Sequence, residues 1–134
     1  MYIPLIRERH AVLLVIILTH LGPYRDTLLR EIYINDYLKR IARGVVKEED
    51  KIKRHIYMQT HLLEFNERIF LYPFSLPLNP KILCSSIIVN ECKVMSSKKR
   101  PLWLIFKNSD TFGANFTVIF KTGKMPMRVV CIVY

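Results

Sequence analysis

Residues Glu91–Asp110 read ECKVMSSKKRPLWLIFKNSD, and their meaning decides the fold. A strand-like run leads into Ser96-Ser97-Lys98-Lys99-Arg100. A proline follows, then an apolar strand carrying the chain's one tryptophan, Trp103. Three cations and two hydroxyls thus fill the gap between two strands, and the residues alone leave three meanings open. A solvated β-turn is the most economical, because serine and lysine are common in turns and cations blunt a sheet edge. A nucleic-acid patch asks for more arginine, and for aromatic rings exposed beside the cations. A phosphate loop would use hydroxyls and backbone N–H groups as donors, with lysine as counter-charge. The glycine-rich P-loop pattern is absent. Kinases use instead a loop between two strands and a lysine on a following strand. The run VIFKTG offers such a lysine in Lys121.

Strand character continues on both sides. β-Branched and aromatic residues predict strands at Ser85–Val89, Cys92–Met95, Leu102–Phe106, Thr117–Lys121 and Val129–Tyr134. The segment NSDTFGAN is a loop between two of them. Upstream, Tyr72–Pro80 reads YPFSLPLNP, with three prolines in nine residues. Proline lacks the N–H that a helix needs, so this stretch predicts an extended linker.

The first half has a different period. Leu28, Leu29, Ile32, Tyr33, Tyr37, Leu38, Ile41 and Val45 recur at steps of three and four, the stripe of an amphipathic helix. Gly22-Pro23 breaks the chain before it, and Gly44 lies near its end. The polar run KEEDK places acids at the start of a second helix, about Glu48 to Arg68. Ile52, Ile56, Leu63 and Phe70 are expected on its apolar face, which Gln59 interrupts. Earlier still, Ala11–Leu18 is eight apolar residues, AVLLVIIL, well short of the roughly twenty that span a membrane. Arg7 and Arg9 before it give the outline of a signal peptide, but THLGPYRD is a poor cleavage site. A buried helix or strand is the expectation. Helices followed by antiparallel strands predict an α+β chain rather than alternating β-α units.

The 134 residues suit one domain, and 51% are apolar, which excludes a disordered composition. The formal charge is +10. It is lopsided: residues 1–67 are near balance at +2, whereas 68–134 hold 10 basic and 2 acidic groups. An anionic partner suits such a half: nucleic acid, nucleotide phosphate or an acidic membrane surface. The three cysteines, Cys84, Cys92 and Cys131, form no Cys-x-x-Cys pair, and neither His55 nor His61 stands at ligand spacing to them. Free thiols are expected, not a zinc site.

The segments SLPLNP, ECKVMSSKKRPLWLIFKNSD and VIFKTG, in this order and separation, resemble the catalytic subunit of phosphoinositide 3-kinases, the class I enzymes above all. The resemblance is strong over Ser75–Gly123 and extends more loosely over Gly22–Phe70. It implies a division into 1–71, the end of an α-solenoid-like helical domain; 72–80, a proline-rich linker; 81–123, the first strands of a protein-kinase-like N-lobe; and a divergent tail, 124–134. It implies that Met95 and Trp103 line an adenine pocket backed by Ile105. Ser97, with Ser96 beside it, would bond ATP phosphates, Lys99 would lie along the phosphate tail, and Lys121 would contact the α-phosphate. The implied activity is ATP- and Mg-dependent phosphorylation of the inositol 3-hydroxyl of a membrane lipid. Phosphoinositide membrane and regulatory subunits are the implied partners, with cytoplasmic location and peripheral membrane recruitment. Nucleic acid is not expected.

The chain also departs from that pattern. Where the family continues after Gly123 with an acidic helix start, this chain has KMPMRVVCIVY. The family's catalytic-loop Asp and His, its metal-binding Asp-Phe-Gly and its activation loop have no counterpart. The expectation is therefore a truncated, inactive fragment that binds ATP and Mg poorly at best. Gly123-Lys124 can be written GGTAAG, a splice-donor-like sequence, so the tail reads as translated intron. A small basic interaction module for nucleic acid or acidic membrane is the rival reading.

Overall fold

A computed structural model describes residues 2–69, 72–76, 79–121 and 129–131. The chain divides into two compact units, Met1–Tyr33 and Ile34–Tyr134. In the first, helix α1 (Tyr2–His20) carries the apolar run. Gly22 follows at φ 56°, a left-handed conformation that glycine adopts without strain and that ends a helix. Helix α2 (Tyr24–Lys47) begins next and runs into the second unit. Val12, Leu13, Val15, Ile16 and Ile17 of α1 are all exposed, Val15 to 62%. The eight-residue run is a helix, then, but not the buried element expected of it. Its apolar residues circle the axis, so no single face could tuck them away. Among the described residues no helix is long and apolar enough to cross a membrane.

In the second unit, α2 and helix α3 (Lys51–Ile69) form a hairpin. The turn between them is closed by Asp50, whose Oδ1 accepts from the N–H groups of Ile52 and Lys53 at 2.8 and 3.0 Å. This satisfies two of the unbonded donors at the helix start. Gly44 lets the helices approach: a Cβ there would run into the Tyr57 ring. The α2 stripe is buried through Tyr37, Leu38, Ile41 and Val45, joined by Ile34 and Ala42. On α3 the expected face is the wrong one. Ile52, Ile56 and Leu63 are exposed, and Met58, Leu62, Phe65 and Ile69 are buried instead. Both sets run at helical spacing, and the sheet selects between them. Phe70 lies outside the described residues.

The strands are β1 (Phe74–Leu76), β2 (Asn79–Ile87), β3 (Lys93–Val94), β4 (Leu102–Asn108), β5 (Phe116–Phe120) and β6 (Val129–Cys131). They form one antiparallel sheet in the order β1-β2-β4-β5-β6, with β3 also pairing to β4. The described parts of the proline-rich stretch are extended, and Phe74–Leu76 is also paired: Phe74 stands opposite Cys84. β2 and β3 lie along the same edge of β4, separated by a 3-10 turn at Val89–Glu91. Asn66 of α3 holds that break. Its Nδ2 donates to the Ile87 carbonyl and its Oδ1 accepts from the Ile87 N–H, both at 2.8 Å. Residues 129–131 of the tail pair with β5, Val129 opposite Phe120. The rest of 122–134 lies outside the described residues.

One core fills the second unit. It runs from Ile34 and Ile41 through Met58 and Phe65 to Leu102, Leu104, Phe106, Phe116, Val118 and Phe120. Cys84 and Cys92 are buried within it. Cys92 Sγ donates to the Ile88 carbonyl and accepts from the Ile105 N–H. Burial pushes its pKa up to about 11, so it is a thiol at neutral pH.

Candidate functional site: a cationic depression on the open face of the sheet

Strand alternation sorts the site residues. Along β4, Leu102, Leu104 and Phe106 face the core, and Trp103 and Ile105 lie between them on the other side. The register carries this across the sheet. Trp103 is opposite Ile119 of β5 and Lys93 of β3, and Ile105 is opposite Thr117. Lys93 Nζ lies 5.1 Å from the centre of the Trp103 ring, a cation–π contact. Ile119 is buried but stands outside the core cluster.

The Ser96–Arg100 segment closes the β3–β4 connection. The Met95 N–H donates to the Pro101 carbonyl at 2.8 Å, extending the β3–β4 ladder by one pair. The Arg100 N–H donates to the Ser97 carbonyl at 2.8 Å. Residues 97–100 are thus a four-residue turn with Lys98 and Lys99 at its corners. Arg100 has φ 48°, left-handed backbone that costs a non-glycine residue roughly 1–2 kcal/mol. Two bonds hold it there. Its Nη1 donates to the carbonyls of Val46 and Glu48, at 2.9 and 2.8 Å, at the end of α2.

Phe120 pairs with Leu102, so Lys121, next in the chain, comes beside Pro101. Ser97, Lys98, Lys99, Pro101 and Lys121 line one depression of about 240 Å³. All but Pro101 are exposed, and none of the three lysines has an acidic partner among the described residues. Three lysines and a serine around one hollow suit a polyanion.

Of the residues expected at the site, Ser97, Lys99 and Lys121 meet in this depression. Met95, Trp103 and Ile105 are half-buried, and register sets them on the same side of the sheet. Ser96 is exposed and does not line the hollow. Sequence reasoning passed over Lys98 and Pro101 as lining residues and Lys93 as the cover of Trp103. The two lining residues were visible as parts of the basic run. Lys93 needed the register.

An α+β chain with an anion-suited hollow on one sheet face is the class these features define. No family model matches it. Curated relatives do. The chain is 32% identical over 123 residues to phosphatidylinositol 3-kinase 2 of Dictyostelium discoideum, covering 92% of this chain and 6% of the relative. To phosphatidylinositol 3-kinase 1 of the same organism it is 33% identical over 116 residues, 87% of the chain and 7% of the relative. Phosphatidylinositol 3-kinase 3 shares 38% over 98 residues, 73% of the chain and 6% of the relative. The chain is homologous to the phosphatidylinositol 3-kinases over most of its length, and it spans a small fraction of theirs.

Proposed function

We propose that the depression grips the phosphates of a nucleotide. Ser97 donates its hydroxyl, while Lys99 and Lys121 neutralise charge from opposite sides. Lys98 adds a third cation. The base lies against Trp103, Met95 and Ile105, with Ser96 at the mouth. The observation that carries this reading is the placement of Lys121: a residue more than twenty positions from the turn comes to the same hollow. A merely solvated turn has no need of that convergence. Homology to phosphatidylinositol 3-kinases supports the choice of nucleotide over other anions.

In a longer kinase this grip would serve ATP-dependent phosphorylation of the inositol 3-hydroxyl of a membrane lipid, at a membrane reached by peripheral recruitment from the cytoplasm with regulatory subunits. Positioning and charge neutralisation supply most of such catalysis, to which Mg would add counter-charge. These 134 residues by themselves supply the phosphate grip but neither an oriented nucleophile nor the acidic metal ligands, so they are proposed to transfer no phosphoryl group. Titration of the chain with ATP, followed by amide NMR, tests the grip. Shifts at Ser97–Lys99 and Lys121, lost in Lys121→Ala, are expected. Salt-dependent binding to arbitrary nucleic acid, indifferent to Lys121→Ala, would favour the basic module instead. Phosphorylation of phosphoinositide vesicles by the purified chain would overturn the inactive reading.

A further inference from the structure

Arg100 is the third cation of the basic run, yet it does not line the hollow. Its guanidinium points the other way, to the C-terminus of α2. The last four carbonyls of a helix have no partner within it, and they carry the negative end of its dipole. The Val46 carbonyl is one of these, and Arg100 Nη1 caps it. The same nitrogen donates to Glu48, 52 residues away along the chain. The Glu48 carbonyl also accepts from Nε of Arg54 at 3.0 Å, and Arg54 Nη2 reaches the Glu49 carbonyl at 3.0 Å. Two guanidinium groups thus converge on the turn that joins α2 to α3. The turn at residues 97–100 is completed by a non-glycine residue in left-handed backbone, which persists where the surroundings fix it.

We infer that Arg100 is a positioning residue: it sets the shape of the Ser96–Lys99 loop by clamping it to the α2–α3 turn. The link to phosphate affinity rests on the reading of the hollow given above; the clamp itself does not. The clamp makes the loop answer to the helical hairpin. A shift of the α2–α3 turn, by a partner or by a substitution, moves the two carbonyls that Arg100 holds and hence the backbone that presents Ser97, Lys98 and Lys99. Charge alone cannot replace it. A lysine is one bond shorter than arginine, so from this backbone its nitrogen falls short of the two carbonyls that Nη1 bonds.

The test uses the full chain, with amide exchange and NMR as readouts and inorganic triphosphate as probe. In Arg100→Ala and Arg100→Lys alike, exchange at the residue-100 amide, which bonds the Ser97 carbonyl, should rise about tenfold, with exchange in the core strands unchanged. Arg54→Ala, which alters the shared carbonyl from the far side, should raise loop exchange by a smaller factor. Triphosphate affinity should fall in both Arg100 variants, and Arg100→Lys should not rescue it. Lys121→Ala should lower affinity with loop exchange unchanged. Wild-type loop protection in Arg100→Ala, or full rescue by Arg100→Lys, overturns the inference. If the unmodified chain binds no triphosphate while Arg100→Ala still loosens the loop, the nucleotide reading fails and the clamp stands.

Discussion

Along β4, neighbouring side chains face different surroundings. Leu102, Leu104 and Phe106 are at most 1% exposed, while Trp103 and Ile105 between them are only half-buried. The core face meets α3 and is satisfied by apolar contact alone. The open face carries a tryptophan under a lysine and ends at three lysines that have no acidic partner among the described residues. The same alternation of a pleated strand produces both. Apolar volume on one side supports the sheet, and this frees the other side to hold groups that contribute little to stability.

The sharpest way to break this comparison is to shorten one side chain on each face. Phe106→Ala should cost about 3–5 kcal/mol, through lost transfer energy and the cavity left behind. Ile105→Ala, one residue away, should cost about 1 kcal/mol, in keeping with a half-buried strand position. Urea unfolding of both variants measures the difference. Equal losses would mean that the open face is a second core.

A smaller effect is expected where the core-side edge of β4 changes partners. Asn66→Ala leaves both backbone groups of Ile87 without the amide that now pairs them, a loss of about 1–3 kcal/mol. Exchange at the Ile87 amide should rise along with the fall in melting temperature. A variant with lowered stability and a still-protected Ile87 amide would show that the clamp is replaceable.

The smallest effect belongs to the open face. Lys93→Ala removes a cation–π contact worth about 0.5–1 kcal/mol. Because Trp103 is the chain's only tryptophan, its fluorescence reports the change without ambiguity. A red-shifted emission with nearly unchanged stability is expected. An unaltered spectrum would place the ring elsewhere than under Lys93.

These effects also mark what sequence could and could not show. The order of helices and strands was legible, because proline, glycine and the change of period from 3.6 to 2 are local signals. Which face of α3 is buried was not: Ile52, Ile56 and Leu63 compete with Met58, Leu62 and Phe65 at the same spacing, and only the sheet decides. The break between β2 and β3 was equally hidden, since Asn66 stands 21 residues from the backbone it holds. At the site, Ser97, Lys99 and Lys121 could be named from a resemblance, and the structure brings these three to one hollow. Arg100 looked like one more loop cation. Its partners lie at the end of a helix that no local pattern connects to it.

The Arg100 bond to Val46 closes 54 residues of chain, and that has a kinetic side. Closing so long a loop costs entropy that one hydrogen bond cannot repay early in folding. The helix hairpin, made of local contacts, must stand before its terminal carbonyls exist as a target. Folding-rate measurements on Arg100→Ala should therefore give a φ-value near zero, the loss appearing as faster unfolding. A value near one would put the closure in the nucleus. The basic turn, on this account, is among the last parts of the unit to acquire its shape and among the first to lose it.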